Sequence, residues 1–282
     1  MTAAKLFSHQ QVSFVTMPAM SEPNRLRGKQ AARRVLPPSD LFDALKARAA
    51  LVAEPRPAGV HGPALRHLLG ELEFLTGPLR NTRAPTDIPP AQTPRLVMLL
   101  PGFGTHPVRM RRMARHLEAA GHTVKKWGLG FNLGPTPENF DVLARRVRSL
   151  HRRHGEKLVL VGWSLGGIFA REIAKRHPEA VGKVVTMGSP FSGNPKANNV
   201  WRLYNLVTGH SVEHPPLVDD MAAKPPVPTV ALWSPRDGIV SPRSSCGRPG
   251  ERDKAVALRC SHLGFAYSDE AIGAVLAELE TD

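Results

Sequence analysis

Residues 158–172, LVLVGWSLGGIFARE, hold the groups best suited to covalent chemistry in this chain. An apolar, strand-like run leads into Gly162-Trp163-Ser164-Leu165-Gly166 and then into a segment of helical spacing, which is the G-x-S-x-G arrangement in its strand-turn-helix setting. The logic is steric. A serine on so tight a turn has a strained backbone, and side chains at 162 and 166 would collide with neighbouring backbone, so glycine removes the Cβ at both. The turn lifts the Ser164 hydroxyl to the carboxyl end of a sheet, where the next helix offers unpaired N–H groups and the positive end of its dipole. Ser164 is the candidate nucleophile, and an incidental turn serine is the alternative.

A serine hydroxyl reacts poorly until a base takes its proton. Twelve histidines compete for that role. His262, in AVALRCSHLGF, is the one that follows the last strand-like segment and precedes the closing helix, whereas His210 and His214 lie in an irregular insertion where a surface or lid role suffices. A carboxylate must then meet the ring nitrogen remote from the serine and hold the productive tautomer. TVALW (229–233) supplies a strand and Ser234-Pro235-Arg236-Asp237-Gly238 the loop after it, which makes Asp237 the candidate. Asp219 and Asp220 precede that strand and are runners-up, and Asp-Gly is also an ordinary turn signature.

Charge developing on an attacked carbonyl oxygen needs preorganised N–H donors. One candidate is Leu165, the residue after the nucleophile. The other is Phe103, in the Pro101-Gly102-Phe103-Gly104 loop after the strand-like RLVMLL (95–100); a plain turn explains these glycines but not their placement there. Phe131, Leu133, Trp163 and Trp201 are the candidate substrate-binding side chains, which together with the apolar residues of an insertion at about 192–228 point to an apolar or medium-length acyl group.

The elements that must position these groups alternate along the chain. Strand-like runs at 95–100, 122–127, 157–161, 184–187, 229–233 and 255–258 are separated by helical stretches at 110–121, 139–154 and 165–177, and a last helix spans 268–279. Continuous apolar strands between amphipathic helices imply a doubly wound, mostly parallel α/β sheet of about six strands. Before it, residues 1–38 read as a flexible basic arm. Residues 39–83 read as a helical extension packing on the core, with Ser39 and Asp40 as its N-cap signal and Leu65, Leu68, Leu69, Leu72 and Leu75 at helical spacing. That leucine stripe could also lie on a membrane or grip a partner. Residues 84–94, APTDIPPAQTP, form a Pro-rich linker, and 95–282 form the catalytic unit. The insertion at 192–228 has the position of a lid.

With 282 residues, 41% of them hydrophobic, the chain can bury one large core plus an appendage. The formal net charge of +14 is spread over the chain and not gathered in one run, so no nucleic-acid function is expected; weak association of the basic arm with anionic surfaces is the remaining charge-driven reading. The two cysteines, Cys246 and Cys260, exclude a disulfide framework and a cysteine-cluster zinc site. Free thiols in a reducing cytoplasm are the simpler reading and a single bridge the alternative. No run approaches the roughly 20 apolar residues of a membrane span, so a cytoplasmic protein is expected.

With these residues in place, 95–282 resembles the serine esterase and lipase branch of the α/β-hydrolase superfamily. The likeness rests on LLPGFG, GWSLGG, WSPRDGIVS and CSHLGF in that order, with WGLGFNLGP and VVTMGSPFSG similar to bacterial members carrying a PGFG oxyanion loop. It implies hydrolysis of small carboxylic esters through an acyl-enzyme, with no metal and no organic cofactor. The two early antiparallel strands usual in that fold are not evident, so a trimmed sheet is expected. An acyltransferase or thioesterase using the same triad is the near alternative, and a non-catalytic binding protein that keeps the fold is the distant one.

Overall fold

The computed structural model describes residues 38–71, 88–216, 218 and 220–281. The arm expected at 1–38, all but its last residue, and part of the linker lie outside the described residues, as do Leu72, Leu75 and Asp219.

Six strands form one parallel sheet: β1 (Leu96–Leu100), β2 (Thr123–Lys126), β3 (Leu158–Trp163), β4 (Val181–Met187), β5 (Thr229–Trp233) and β6 (Lys254–Ala257), in the order β2-β1-β3-β4-β5-β6. Every pairing is parallel, from Leu96 opposite Thr123 at one edge to Trp233 opposite Ala257 at the other. The six-stranded parallel architecture expected from the alternation is the one observed. Strands buried on both faces can be apolar at every position, and all five residues of β1 are buried. Their side chains divide by the period of two. Leu96, Met98 and Leu100 join the core under α4 (Pro137–His154) and α5 (Leu165–Arg176). Val97 and Leu99 join the opposite core, under α3 (Arg111–Ala119) and α8 (Asp269–Leu279).

The helices follow from their sequences. In α4, Phe140, Leu143, Val147 and Leu150 recur at helical spacing on the buried side, Thr136 Oγ1 accepts the Asn139 N–H as a cap, and Gly155 ends the helix. Helix α8 begins after Ser268, whose hydroxyl accepts the Ala271 N–H. Helix α1 (Pro38–Ala53) starts earlier than its sequence suggests, so Ser39 and Asp40 fall inside the first turn and are not the cap. Proline is suited to that first position because it has no N–H to satisfy and a helical φ already set.

Chain order reverses between β1 and β3, the two neighbours that lead away in opposite directions. In open parallel sheets the crevice at such a point, beyond the carboxyl ends of the strands, is where ligands bind. The loop after β1 and the turn after β3 both open there.

The segment between β4 and β5 carries helix α6 (Trp201–Thr208), against which α1 packs. Its far end is held by Arg171 of α5, which is fully buried. The guanidinium donates to the carbonyls of Met221 (3.3 Å), Ala222 (3.0 Å), Ala223 (3.1 Å) and Glu251 (3.1 Å) and lies 4.1 Å from the centre of the Phe191 ring. Burial pushes its pKa down to about 10, against the pull of Glu172, Glu251 and Asp220, so it stays charged at neutral pH. Methionine fills similar space but leaves four carbonyls without their donor. R171M is therefore expected to lower the unfolding free energy by about 2–4 kcal/mol, read as a fall in the urea midpoint at constant m-value.

Candidate active site

Ser164 sits between β3 and α5 with φ 53° and ψ −123°, the only non-glycine residue at positive φ among the described residues. Such a conformation costs an L-residue of order 1–3 kcal/mol and persists only where its surroundings impose it. They do so by contact. A Cβ on Gly162 would lie 2.4 Å from the carbonyl oxygen of Gly166, and one on Gly166 would lie 2.3 Å from that of Leu100. The α5 N-terminus is thereby pressed onto the ends of β1 and β3, and the Ser164 N–H is anchored to Met187 O at 2.8 Å.

His262 follows β6 and Asp237 follows β5, and the structure brings the two together. His262 Nδ1 donates to Asp237 Oδ2 at 2.7 Å, with the two residues 2% and 0% exposed. Asp237 Oδ1 meanwhile accepts the N–H groups of Ile239 (2.8 Å) and Val240 (2.7 Å), which fixes the carboxylate plane. Because a carboxylate accepts, the ring proton resides on Nδ1 and Nε2 keeps a lone pair. Burial is the largest single influence on the His262 pKa and pulls it down. The charge and hydrogen bond of Asp237, with a smaller push from Glu71, outweigh it and hold the pKa above the ordinary histidine value.

The loop after β1 is held open by its own bonds. Asn132, fully buried, donates through Nδ2 to Pro101 O (2.7 Å), while Thr105 Oγ1 donates to Gly102 O (2.7 Å) and Gly104 N–H to Asn132 O (2.7 Å). Among the described residues the N–H groups of Phe103 and Leu165 donate to no protein acceptor. Both residues line, with Ser164, a cavity of about 60 Å³ whose walls are almost wholly apolar, including Ile168, Phe169, Trp201, Tyr204, Met221 and Val240.

The four side chains expected to bind substrate separate. Trp201 lines this cavity and is buried. Trp163 is buried in the opposite core, where its Nε1–H donates to His262 O at 3.0 Å, so it braces the histidine backbone. Phe131 and Leu133 are 61% and 59% exposed and lie outside the cavity wall. Sequence reasoning passed over Asn132, Tyr204 and Glu71. Asn132 had a signal, an amide embedded in the apolar WGLGFNLGP stretch, whereas Glu71 had none. Both cysteines are free; burial pushes the Cys260 thiol up to about 12, which leaves it protonated and unreactive.

Residues 95–206 match a family model described as the alpha/beta hydrolase fold. A pimeloyl-[acyl-carrier protein] methyl ester esterase of Vibrio parahaemolyticus is 35% identical over 115 residues, which is 39% of this chain and 42% of that protein. A protein of the same name from Edwardsiella ictaluri is 32% identical over 97 residues, 34% of this chain and 36% of its own length. The chain thus matches less than half the length of these curated relatives. Among solved structures, a monoacylglycerol lipase of Paleococcus ferrophilus superposes with a TM-score of 0.50 at 18% identity, covering 68% of this chain and 95% of that one. The propeptide form of a Bacillus licheniformis lipase gives 0.52 at 16% identity, over 68% of this chain and 52% of that one. At these identities the likeness is one of fold.

Proposed function

We propose that the chain, whose residues 95–206 match the alpha/beta hydrolase fold, is a serine hydrolase of carboxylic esters, with Ser164 as nucleophile, His262 as general base and acid, and Asp237 as the carboxylate that orients the histidine. The observation that carries this reading is the strained serine on a glycine-flanked turn, in the same crevice as two free N–H groups and on the same sheet edge as a buried histidine-carboxylate pair.

In the first step His262 Nε2 takes the Ser164 hydroxyl proton as Oγ bonds to the ester carbonyl carbon. The oxygen that gains the negative charge is held by the N–H groups of Phe103 and Leu165. Collapse breaks the bond to the alkoxide, which takes its proton from His262 and leaves an acyl-serine. Water then repeats the sequence: His262 removes its proton, the hydroxide equivalent attacks, and Ser164 leaves with the proton returned, freeing the acid. Each half-reaction returns the imidazole to its starting state. The ester and one water are the reactants consumed over the two steps.

The cavity beside Ser164 sets the acyl group. Its apolar wall disfavours a charged chain near the scissile bond, and a cavity of such limited size favours a short acyl chain over a long one. On p-nitrophenyl esters of two to twelve acyl carbons, kcat/KM is expected to peak at or below about six carbons and to fall at least tenfold by twelve, each added methylene that finds no room costing binding that shorter chains gain. A panel in which the wild type turns over no ester faster than Ser164→Ala would end the hydrolase reading, and a rising trend to twelve carbons would end the acyl-pocket assignment.

A further inference from the structure

One buried carboxylate lies outside this chemistry and yet touches both loops that deliver it. Glu71 ends the short helix α2 (Leu68–Glu71) of the extension and is 8% exposed. Its Oε1 accepts the main-chain N–H groups of Gly238 at 3.0 Å and His262 at 2.8 Å, and its Oε2 accepts that of Leu263 at 2.8 Å. Gly238 adjoins Asp237 in the loop after β5, while His262 and Leu263 open the 3-10 turn Leu263–Ala266 after β6. A single side chain, remote from both loops in sequence, therefore ties the carboxylate-bearing loop to the histidine-bearing loop.

The fit is close on the main-chain side as well. A Cβ on Gly238 would lie 2.6 Å from the carbonyl oxygen of His67 and 2.9 Å from the Leu68 nitrogen, so the extension rests on the backbone of the Asp237 loop with no side chain between. Bonds from N–H groups to an ionised acceptor are roughly twice as strong as neutral ones, and three of them compensate a carboxylate taken out of water. Among the described residues beside it, Leu65 and Leu69 are 73% and 69% exposed and Leu68 is half-buried, so apolar burial contributes little there. Of the leucine stripe expected to pack on the core, Leu65 and Leu69 face outward, while Glu71 faces inward, where it finds three donors.

We propose that Glu71 is a positioning residue for the catalytic histidine: it sets the separation of the Asp237 and His262 loops, and so makes the segment ahead of the catalytic unit an integral part of the active site. The proposal rests on the hydrolase reading for what is being positioned. A misplacement near 1 Å at a catalytic base is enough to cost about a hundredfold in rate.

Glutamine has the shape of glutamate but only one acceptor oxygen, so it serves at most two of the three N–H groups and opposes the third with its own donors. E71Q is expected to lower kcat about 10- to 100-fold with KM within about twofold, because the cavity wall is untouched while the base is displaced. Two carboxylates act on the imidazole, Asp237 from the β5 loop and Glu71 from α2, and its other close neighbours, Trp163 and Phe265, carry no charge. Neutralising Glu71 therefore also lowers the His262 pKa, which moves the acid limb of the kcat/KM profile to lower pH. A purely structural prop would lower the melting temperature and leave that limb in place. Gly238→Ala reaches the same contact from the other side by pushing His67 and Leu68 away, and it is expected to reproduce the kcat loss with Glu71 intact.

The His262 ring titration followed by NMR in wild type and E71Q is read whether or not an ester is turned over. A wild type inert toward esters and toward a fluorophosphonate probe defeats the hydrolase reading, while the titration still judges the clamp. E71Q and G238A with wild-type kcat, or an imidazole titration unchanged in E71Q, would overturn the proposal.

Discussion

Ser164→Ala is expected to reduce kcat on a short p-nitrophenyl ester by about ten-thousand- to a million-fold, the scale seen when the nucleophile of a serine-histidine-carboxylate constellation is removed. KM should change little, because the methyl group leaves the cavity wall as it is. Stability should change little too: alanine keeps the Cβ, so the backbone at φ 53° carries the same strain with and without the hydroxyl. Residual turnover would come from the free N–H groups of Phe103 and Leu165, which still polarise a bound carbonyl. Groups that act as one unit are not additive, so S164A/H262A should be no slower than S164A. A loss below about a hundredfold, measured with active-site titration to exclude wild-type carry-over, would mean that Ser164 is not the nucleophile.

Asp237→Asn is expected to cost about ten-thousand-fold in kcat, since an amide can present N–H to the ring and stabilise the tautomer whose Nε2 already carries a proton. The pH profile distinguishes this from simple disruption. Under the proposed mechanism the wild type acts only with His262 neutral, and its pKa is held above the ordinary value, so the acid limb should lie above that value. In D237N the charge and the bond that raise it are gone and burial prevails, so the limb should move to lower pH. Stability runs the opposite way in the wild type. A histidine whose pKa is raised by folding contributes its full stabilisation below the unfolded pKa and loses it as pH rises through the folded one, so activity grows across the window in which this contribution fades. An acid limb in D237N at or above that of the wild type would defeat the pairing.

The sheet was legible because its information is local. RLVMLL, KLVLV and TVALW are continuous apolar runs ended by glycine, proline or polar residues, and that pattern alone distinguishes a strand covered on both faces. Asp237 and His262 were legible for a related reason, each closing a strand-loop unit of the parallel repeat, and the 2.7 Å bond between them is the tertiary consequence. What was not legible depended on burial of charge. Arg171 and Glu71 look like any solvent-facing residue of a basic chain, and only the carbonyls of 221–223 and the N–H groups of 238, 262 and 263 explain why they are inside. Phe131 and Leu133 depart from the expected lining in the converse way. Apolar character suggested a lining role, but the turn of WGLGFNLGP is set by Asn132, which turns inward while its apolar neighbours stay exposed.

The roof over the cavity is fastened along both sides. Arg171 grips residues 221–223, and on the other side Arg48 Nη1 donates to the carbonyls of Leu206 (2.6 Å) and Val207 (2.8 Å), Asn205 Nδ2 to that of Leu51 (3.2 Å), and Lys196 pairs with Glu54 at 2.9 Å. A canopy stapled at so many points is expected to swing little, which would keep the doorway to Ser164 near one width through a turnover cycle. On the proposed hydrolase reading, molecules would be sorted at the threshold by girth, before any bond is made, and the departing acid would pass the same gauge that admitted the ester.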